Sequence, residues 1–378
     1  MALSEDIDQP YGLLDRWRAL RDVLLSSRRF QRWAAAFPLT RPIARQRAAN
    51  LFDLCAGFVY SQTLFACVRL RLFEQIKTAP ATADALAARL SIPVDAMKAL
   101  LNAASSLRLV ERRGEGRYGL GPLGAAMLGN SGIAAMVEHH SALYADLADP
   151  VALLRGENCN GQLARYWPYA RGETSSRLTR DDVSAYTDLM AASQPMVAEM
   201  VLGAYSLARH RCLLDIGGGD GSFLIQAAQS APRLELKLFD LPEVAEIARG
   251  RLTGAGLAQR AAVTGGHFLS DALPRGADVI SLIRVVHDHD DDVVRQLFER
   301  VRDALPRAGT LVIGEPMSGF AGSGTVSAYF EVYLYAMGSG RPRGFDDFAK
   351  LLKSAGFSQV RHIPTRIPMI ASVIVAQN

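Results

Sequence analysis

The feature that most constrains the fold of this chain is a glycine-rich loop that follows an apolar run. Residues 213–222 read LLDIGGGDGS, so the apolar run ends beside an acid and then breaks into glycines. A helical pattern follows from Phe223 to Gln229, and the three parts together predict a strand, a tight turn and a helix. A second apolar run, Leu234–Phe239, ends at Asp240, whose carboxylate can bind both hydroxyls of a ribose. We therefore expect a nucleoside-cofactor site.

The loop argues against a dinucleotide as that cofactor. Counting from Gly217 and Gly219, the third glycine of the GxGxxG pattern is replaced by Ser222. Asp220 also lies inside the loop, where its charge would repel a pyrophosphate. S-adenosylmethionine has no phosphate, and its sulfonium and ammonium groups suit the acids of this loop, Asp215 and Asp220. The predicted cofactor-binding residues here are Asp215, Gly217, Gly219 and Gly221, with an ordinary glycine turn of another α/β protein as the alternative.

Apolar strands alternate with helices from Arg211 onward. This alternation predicts an α/β fold with a parallel, doubly wound, Rossmann-like sheet. The predicted strands are Cys212–Ile216, Leu234–Phe239, Ala262–Gly265, Val279–Arg284, Thr310–Glu315 and a closing pair near Val360–Pro364 and Ile370–Ala376. Ligands of such sheets bind at the carboxyl ends of the strands, so we expect the chemistry at that edge.

A mainly helical region precedes the sheet and contains a winged-helix pattern. Thr82 is a good N-cap for a helix to Leu90, a second helix runs from Pro93 to about Ser106, and residues 110–113 and 117–120 predict a hairpin. The second helix offers Lys98 as its one cation, against Asp95, which is too little for reading DNA. We expect a structural role and no nucleic-acid partner. A regulator that senses the cofactor is the alternative from a different class.

The first 48 residues form a basic, aromatic, helical segment, which we call the arm. From Arg16 to Arg47 the arm holds nine arginines and no lysine. Its aromatic residues there are Trp17, Phe30, Trp33 and Phe37. Such a helix either packs on a partner subunit with its charges in solvent or attaches peripherally to an anionic membrane surface. The sequence leaves both interpretations open.

Composition bears on the compartment. The net charge of +4 is mild and gives no global indication of a nucleic-acid partner. The four cysteines, Cys55, Cys67, Cys159 and Cys212, form no CxxC pair and predict buried thiols in a reducing cytoplasm. The N-terminus shows no secretory signal. The apolar segment Leu51–Leu70 is interrupted by polar residues and predicts a buried helix rather than a membrane span. We expect a cytoplasmic protein, with peripheral attachment at an inner or photosynthetic membrane as the alternative.

Histidines and aspartates cluster after the fourth predicted strand, where residues 284–292 read RVVHDHDDD. One interpretation is a metal site, but Asp290–Asp292 also suit the first turn of the next helix, where acids complement the helix dipole. The other makes His287 a general base, since a neutral imidazole can take a proton from a hydroxyl that attacks a methyl group. Glu315 ends the next strand and can orient that imidazole. We expect the base and no metal.

These motifs resemble the small-molecule O-methyltransferases of the plant caffeate and hydroxyindole type, which are class I S-adenosylmethionine enzymes. The motifs that fit the family are 215–221, 240–242, 287–288 and, near the C-terminus, 337–357. Segments 50–54, 58–62 and 284–289, with the arginine-rich arm, further resemble the family's bacterial group that methylates hydroxycarotenoids such as hydroxyneurosporene or demethylspheroidene. The resemblance implies a winged-helix dimerisation and substrate-lining domain at 49–200, a cofactor-binding domain at 201–378, and a homodimer.

The resemblance also implies roles for single residues. His287 would be the base and Glu315 its orienting carboxylate, Asp240 with Leu241 would hold the ribose, and Arg284 would contact the cofactor. The pair His267 and Phe268 falls where the family has an acid and an aromatic residue near the adenine, so His267 is a departure. Pro342 is a second departure, because it stands where the family has a second catalytic glutamate. We therefore expect His287 to have a single acidic partner.

The acceptor is expected to be a small apolar molecule. Tyr329, Tyr333 and Met337 share one helical face and, with Met190 and Gln194, are predicted to line its pocket, with core packing as the alternative. A tertiary alcohol is far less acidic than a phenol, so the base would remove its proton in step with methyl transfer. We expect the rate to rise through an ordinary histidine pKa near 6.5. The acceptor stays open between a hydroxycarotenoid and a phenol, polyketide or, at carbon, a chlorophyll-type ring.

Overall fold

The described residues of the chain form two units. The computed structural model describes residues 12–157, 161–166, 180–320 and 323–378. The first, which we call the N-terminal unit, comprises the described residues up to Leu70 together with Ala79–Gly119. The second, which we call the sheet unit, comprises Arg71–Thr78 and the described residues from Leu120 to Asn378.

The helices and strands of the described residues are numbered in chain order. The helices are α1 Leu13–Ser26, α2 Arg28–Ala36, α3 Arg41–Arg69, α4 Leu72–Ile76, α5 Ala83–Leu90, α6 Val94–Ser106, α7 Pro122–Leu128, α8 Ser131–Asp146, α9 Pro150–Leu154, α10 Gln162–Tyr166, α11 Arg180–Ala204, α12 Ser222–Ser230, α13 Pro242–Gly254, α14 Asp291–Ala304, α15 Gly324–Met337 and α16 Phe345–Ser354. The strands are β1 Ala81–Thr82, β2 Val110–Arg112, β3 Arg117–Leu120, β4 Cys212–Ile216, β5 Glu235–Asp240, β6 Ala261–Gly265, β7 Val279–Ile283, β8 Thr310–Glu315, β9 Gln359–Ile363 and β10 Ser372–Gln377.

The winged-helix pattern predicted from the sequence is confirmed. The hydroxyl of Thr82 accepts a hydrogen bond from the backbone N–H of Ala85 at 3.3 Å and caps α5. Pro93 lies immediately before α6, and the hairpin strands pair in a small sheet of order β1-β3-β2. Leu86, Met97 and Leu101 are fully buried between these elements, so the module has a core of its own.

The predicted burial of Leu51–Leu70 is wrong for the single chain. These residues lie in the long helix α3, of which Thr63, Cys67 and Val68 alone are buried. Its exposed apolar side chains are Ile43, Leu51, Phe52, Leu54, Phe58 and Val59. Within the described part of the chain, α3 is the one helix with the length and hydropathy of a membrane span, a test that core helices of soluble proteins also pass. These exposed apolar side chains are available for a partner to cover.

The sheet of the second unit has the predicted doubly wound architecture. Its strand order is β6-β5-β4-β7-β8-β10-β9. The first five strands in this order are parallel, and β10 is antiparallel to both of its neighbours. Neighbouring residues of one strand enter opposite cores, as Leu213 and Leu214 do, because side chains alternate across a sheet. Successive strands are added to one side of β4 as far as β6 and then, from β7 onward, to its other side. The carboxyl ends of β4 and β7 therefore form the crevice in which such folds bind ligands.

Two expectations about organisation differ from the structure. The predicted domain boundary at residue 200 does not coincide with the division into units, since α11 packs on α12, α13 and β10 and so lies with the sheet. Cys67 and Cys212 are buried as predicted, whereas Cys55 is exposed on α3. Cys159 lies outside the described residues.

Candidate active site

The glycine-rich loop joins the end of β4 to the start of α12. Gly217, Gly219 and Gly221 have φ angles of +67°, +57° and +82°, a region that glycine adopts without strain. Gly217 has no room for a side chain, because an added Cβ would lie 2.6 Å from Cγ2 of Val285. At Gly219, in contrast, an added Cβ would meet no described atom within 4 Å. The tip of the loop is therefore open to a ligand that approaches the backbone closely.

Two acids flank this loop. Asp215 is buried at the end of β4, where its Oδ1 accepts a hydrogen bond from the Ser281 hydroxyl at 2.6 Å. Burial raises the pKa of Asp215 to about 7, and its Oδ2 has no hydrogen-bond partner among the described residues. Asp240 ends β5 and accepts hydrogen bonds from the backbone N–H groups of Gly219 at 2.8 Å and Leu241 at 2.7 Å. Asp240 thus lies against the loop, as predicted.

Asp220 has a different role from the one expected. It was predicted to face the positive charge of the cofactor, but its carboxylate accepts hydrogen bonds from the backbone N–H and the hydroxyl of Ser222 at 3.0 and 2.9 Å. It also pairs with the guanidinium of Arg251 on α13. Asp220 therefore holds the start of α12 and neutralises Arg251.

His287 lies in a short 3₁₀ turn four residues after β7, and two carboxylates contact its ring. Its Nδ1 is hydrogen-bonded to Oε2 of Glu315, which is completely buried at the end of β8. The other oxygen of Glu315 accepts hydrogen bonds from the backbone N–H groups of Val285 at 2.9 Å and Val286 at 2.7 Å. Glu315 therefore fixes both the imidazole and the turn that carries it, as the sequence predicted.

Asp288 supplies the second acid, which the sequence did not reveal. Its Oδ1 lies 3.0 Å from Nε2 of His287, so the expectation of a single acidic partner is wrong. Burial lowers the pKa of His287, but the charges of Asp288 and Glu315 outweigh it and raise that pKa to about 8. Burial raises the pKa of Asp288 to about 6. The expected pKa near 6.5 for the base is therefore corrected upward.

Residues 339–343 brace the turn that carries His287. The backbone N–H of Arg341 donates to the carbonyl of His287 at 3.1 Å. Arg343 is fully buried and donates to the carbonyls of Val286 at 2.9 Å and His289 at 2.7 Å. Gly340, at φ +81°, lies so close to this turn that a Cβ would overlap its backbone. Pro342 therefore belongs to a support for the turn, and no carboxylate is present at its position.

The remaining acids of the motif bind other groups of the protein. Asp291 accepts hydrogen bonds from Arg341 and Arg343, and the bond from Arg341 contributes most to lowering the pKa of Asp291. Asp290 accepts a hydrogen bond from the backbone N–H of Gly340 at 3.0 Å. Asp291 and Asp292 lie in the first turn of α14, as one interpretation of the sequence expected. Among the described residues, no three histidine, cysteine or acidic side chains are grouped as metal ligands.

Three further predicted cofactor contacts lie near this edge. The rings of His267 and Phe268 stack with centroids 5.3 Å apart, on a loop tied to Asp240 by a hydrogen bond from the Gly266 N–H at 2.9 Å. Arg284 has its guanidinium on α11, where it donates to the Ser193 hydroxyl at 2.7 Å and to the carbonyl of Met190 at 3.0 Å. Contacts of these three residues with a cofactor stay predictions.

Four of the five predicted acceptor-lining residues share one apolar cluster, and their contact with an acceptor stays a prediction. Tyr333 and Met337 are buried in a cluster of α8, α9, α10 and α15 residues, with Met190 and Tyr329 packed at its edge. Gln194 lies one turn beyond Met190 on α11 and is half-buried. Sequence reasoning missed Phe330, whose ring centroid is 6.0 Å from that of His287.

Sequence reasoning also missed His139 and His140 of α8. Their Nε2 atoms each lie 2.8 Å from a tyrosine hydroxyl of α15, that of Tyr333 for His139 and that of Tyr329 for His140. Two adjacent histidines in a mostly apolar helix were the available signal.

Comparison with known protein families agrees with this architecture, which is that of the small-molecule methyltransferases. Residues 144–358 match the O-methyltransferase domain, and residues 52–130 match the O-methyltransferase dimerisation domain. The chain therefore belongs to the O-methyltransferase family, which the sequence motifs resembled. The second match supports the predicted homodimer.

Particular relatives extend the match over nearly the whole chain. The chain is 45% identical over 355 residues to the demethylspheroidene O-methyltransferase of Cereibacter sphaeroides, with 93% of each chain covered. It is 40% identical over 344 residues to the demethylspheroidene O-methyltransferase of Rhodobacter capsulatus, with 90% of this chain and 84% of the relative covered. The solved structure of human N-acetylserotonin methyltransferase in complex with SAM superposes with a TM-score of 0.72 at 22% identity, covering 88% of this chain and 98% of that one. At that identity the structural likeness shows a shared fold.

Proposed function

We propose that this enzyme transfers a methyl group from S-adenosylmethionine to a hydroxyl of a hydroxycarotenoid, with His287 as the general base. The observation that carries the proposal is the imidazole of His287, held by the buried Glu315 at the sheet edge where the glycine-rich loop also lies. The relatives named demethylspheroidene O-methyltransferase support the acceptor class. The apolar and aromatic side chains that α15 places near His287, Phe330 among them, suit such an acceptor.

The residues at the loop fit the proposed cofactor. Each carboxylate oxygen of Asp240 accepts one backbone hydrogen bond and keeps acceptor capacity for a ribose hydroxyl. Gly219 leaves open space in front of the backbone, and the buried Oδ2 of Asp215 lacks a described partner. When bound, S-adenosylmethionine supplies a methyl group on a positively charged sulfur. Asp215, Gly219 and Asp240 would hold it.

The side chains around His287 define what the protein contributes to the reaction. Glu315 holds a proton on Nδ1, which leaves Nε2 of the neutral imidazole to accept the proton of the acceptor hydroxyl. The acceptor proton would pass to Nε2 as the oxygen takes the methyl group and the bond from methyl carbon to sulfur breaks, because an aliphatic alcohol is too weakly acidic to ionise first. Asp288, at 3.0 Å from Nε2, and Glu315 then stabilise the imidazolium.

The acceptor assignment is tested with purified protein and methyl-labelled S-adenosylmethionine. The protein is incubated separately with a hydroxycarotenoid, simple phenols and a chlorophyll-type ring. We expect label in the methyl ether of the hydroxycarotenoid, with the largest kcat/KM of the three. Efficient labelling of a phenol or ring, with none of the carotenoid, would show the alternative acceptor class. Failure to bind S-adenosylhomocysteine in calorimetry would contradict the cofactor itself.

We also propose that the protein is cytoplasmic and binds an anionic membrane surface through its arm. Supporting this, α1 has no buried residue and carries a stripe of exposed apolar side chains. The stripe consists of Leu13, Trp17, Leu20 and Leu24 at helical spacing, next to Arg16, Arg18 and Arg21. Helices with arginines beside an apolar stripe bind at lipid headgroups. The arm precedes residue 52, where the dimerisation-domain match begins, and a carotenoid acceptor is itself lipid-soluble.

A further inference from the structure

The two histidines of α8 contact the hydroxyls of Tyr329 and Tyr333, the two tyrosines predicted to line the acceptor pocket, which we call the acceptor wall. His139 is hydrogen-bonded to the hydroxyl of Tyr333, and His140 to the hydroxyl of Tyr329. The two tyrosine rings stack on each other with centroids 5.5 Å apart and planes 28° apart. The wall therefore consists of two stacked rings whose hydroxyls are both hydrogen-bonded to one helix.

These pairs are neutral and so differ from the machinery around His287. Burial lowers the pKa of His139 to about 4, with His140 adding to the effect, and burial also lowers the pKa of His140. Burial raises the pKa of Tyr329. At neutral pH the pairs hold uncharged hydrogen bonds and have little tendency to exchange protons with an acceptor. Their effect is to satisfy hydroxyls that are costly to bury unpaired.

Aromatic contacts make this wall continuous with the catalytic histidine. The ring centroid of Phe330 lies 6.0 Å from that of His287 and 5.1 Å from that of Tyr329, and both pairs are edge to face. Tyr329 in turn stacks on Tyr333. The rings of Phe330, Tyr329 and Tyr333 thus form a row that starts at His287.

We propose that His139 and His140 are specificity-determining residues, which tie down the hydroxyls of Tyr333 and Tyr329 so that the wall is apolar toward a long conjugated acceptor. The carotenoid part of this inference rests on the proposed function. Water satisfies an untied tyrosine hydroxyl in an empty pocket. An apolar acceptor displaces that water and leaves the hydroxyl unpaired, whereas a polar acceptor can replace the water's hydrogen bond.

The His140–Tyr329 pair is the better one to test, because it is less buried than the other pair and lies next to Phe330. The variants are His140→Phe, Tyr329→Phe and the double variant, with the exposed His362→Phe as the matched control. Two acceptor sets are used, a hydroxycarotenoid and a series of phenols with alkyl chains of increasing length. KM and kcat are measured for each acceptor.

In His140→Phe we expect KM for the hydroxycarotenoid to rise about tenfold, the effect of one unpaired buried hydroxyl, with kcat within about twofold. KM for a simple phenol should stay unchanged, and the preference for long alkyl chains over short ones should fall. The double variant has no hydroxyl to satisfy, so its KM should return to within about threefold of the natural protein. The rescue shows that the two side chains act as one pair, as residues in contact do. The dependence on the acceptor separates the proposal from a merely structural role, which would change KM for the hydroxycarotenoid and the simple phenol alike.

An unchanged KM in His140→Phe, or additive losses in the double variant, would overturn the inference. If the natural protein fails to methylate the hydroxycarotenoid, the proposed function is wrong on its own account. The alkylphenol series then decides the inference separately, since an unaltered chain-length preference in His140→Phe contradicts it and a reduced preference supports it.

Discussion

The two units of this protein differ in how far the apolar side chains of their main elements are buried. In the sheet unit, every residue of β4, β7 and β8 is buried. In the N-terminal unit, α1 buries none of its residues and α3 buries three of its 29. Exposed apolar surface of this extent is typical of a binding surface. The comparison teaches that the sheet unit completes its core within one chain, whereas α1 and α3 of the N-terminal unit present apolar side chains to another molecule.

The sharpest way to break this comparison is to remove the base from the complete core. His287→Ala should lower turnover by roughly 10²–10⁴ and leave S-adenosylhomocysteine affinity nearly unchanged, because the imidazole acts on the acceptor's proton. Glu315→Gln should cost less, since the imidazole remains. Turnover is measured with labelled cofactor and affinity by calorimetry, with the exposed His362→Ala as control. Retention of most turnover in His287→Ala would show that positioning alone carries the reaction.

The second prediction tests whether α3 is covered by a second copy of the chain. Leu54→Asp with Phe58→Asp places charges on residues that are 82% and 71% exposed in the single chain, so the fold of one protomer should be unaffected. Each copy loses two apolar contacts worth about 1.5–3 kcal/mol apiece, which should raise the dimer dissociation constant by at least about 10². Light scattering measures the mass, and the control is Ala49→Asp, an exposed residue on the opposite side of α3. A variant that stays dimeric at low micromolar concentration would place the interface elsewhere.

The third prediction concerns the cofactor edge of the sheet unit. Asp240→Ala should weaken S-adenosylhomocysteine binding by about 1–3 kcal/mol, because ribose hydroxyls lose their buried partner and the Gly219 N–H loses its acceptor. Calorimetry measures the change against Asp346→Ala, an exposed acid of α16. Equal affinities in the two variants would contradict the ribose assignment.

The fourth prediction asks what the arm binds. Replacing Trp17 and Leu20 by Ala should reduce binding to vesicles with anionic lipid about tenfold, and added salt should weaken binding further. Leu123→Ala, an exposed apolar residue of the sheet unit, should have no effect. Co-sedimentation with anionic and zwitterionic vesicles is the measurement. Vesicle binding that is unaffected by the arm, or absent altogether, would leave packing on a partner subunit as its role.

The smallest effect expected is a shift in pH dependence. Neutral His287 is the active form, so kcat/KM should rise with pH through the pKa of about 8 and level off above it. Asp288→Asn removes a charge that raises this pKa, so the rise should move to lower pH. Profiles of the natural protein and the variant are compared over about pH 5.5–9.5. This range spans the ordinary histidine pKa of about 6.5 and the raised pKa of His287 of about 8. Superimposable profiles would show that Asp288 does not act on the titrating group.

The comparison also explains what the sequence could predict. Strands such as Cys212–Ile216 and Thr310–Glu315 were predicted at their observed bounds, because an apolar run between turn residues is a local signal. The His287–Glu315 pair was predictable because each residue lies at or just after the end of a strand, and the two strands are neighbours in the sheet. Asp288 was missed since its contact depends on the 3₁₀ turn, and the His139–Tyr333 pair joins residues 194 apart. The exposure of α3 could not be predicted because an apolar sequence does not state which molecule covers it.

The bracing of the turn around His287 has a consequence for how acceptor choice can change. The backbone N–H of Ser318 donates to the carbonyl of Arg343 at 3.0 Å, so the chain that carries α15 leaves the sheet and returns to it at one point. The base is held from the sheet side by Glu315, while the acceptor wall lies on the insert between these joined ends. The segment between Ser318 and the bracing residues 339–343 can therefore change its sequence while the brace is kept. A graft of α15 alone should alter which acceptor the enzyme takes without moving its base.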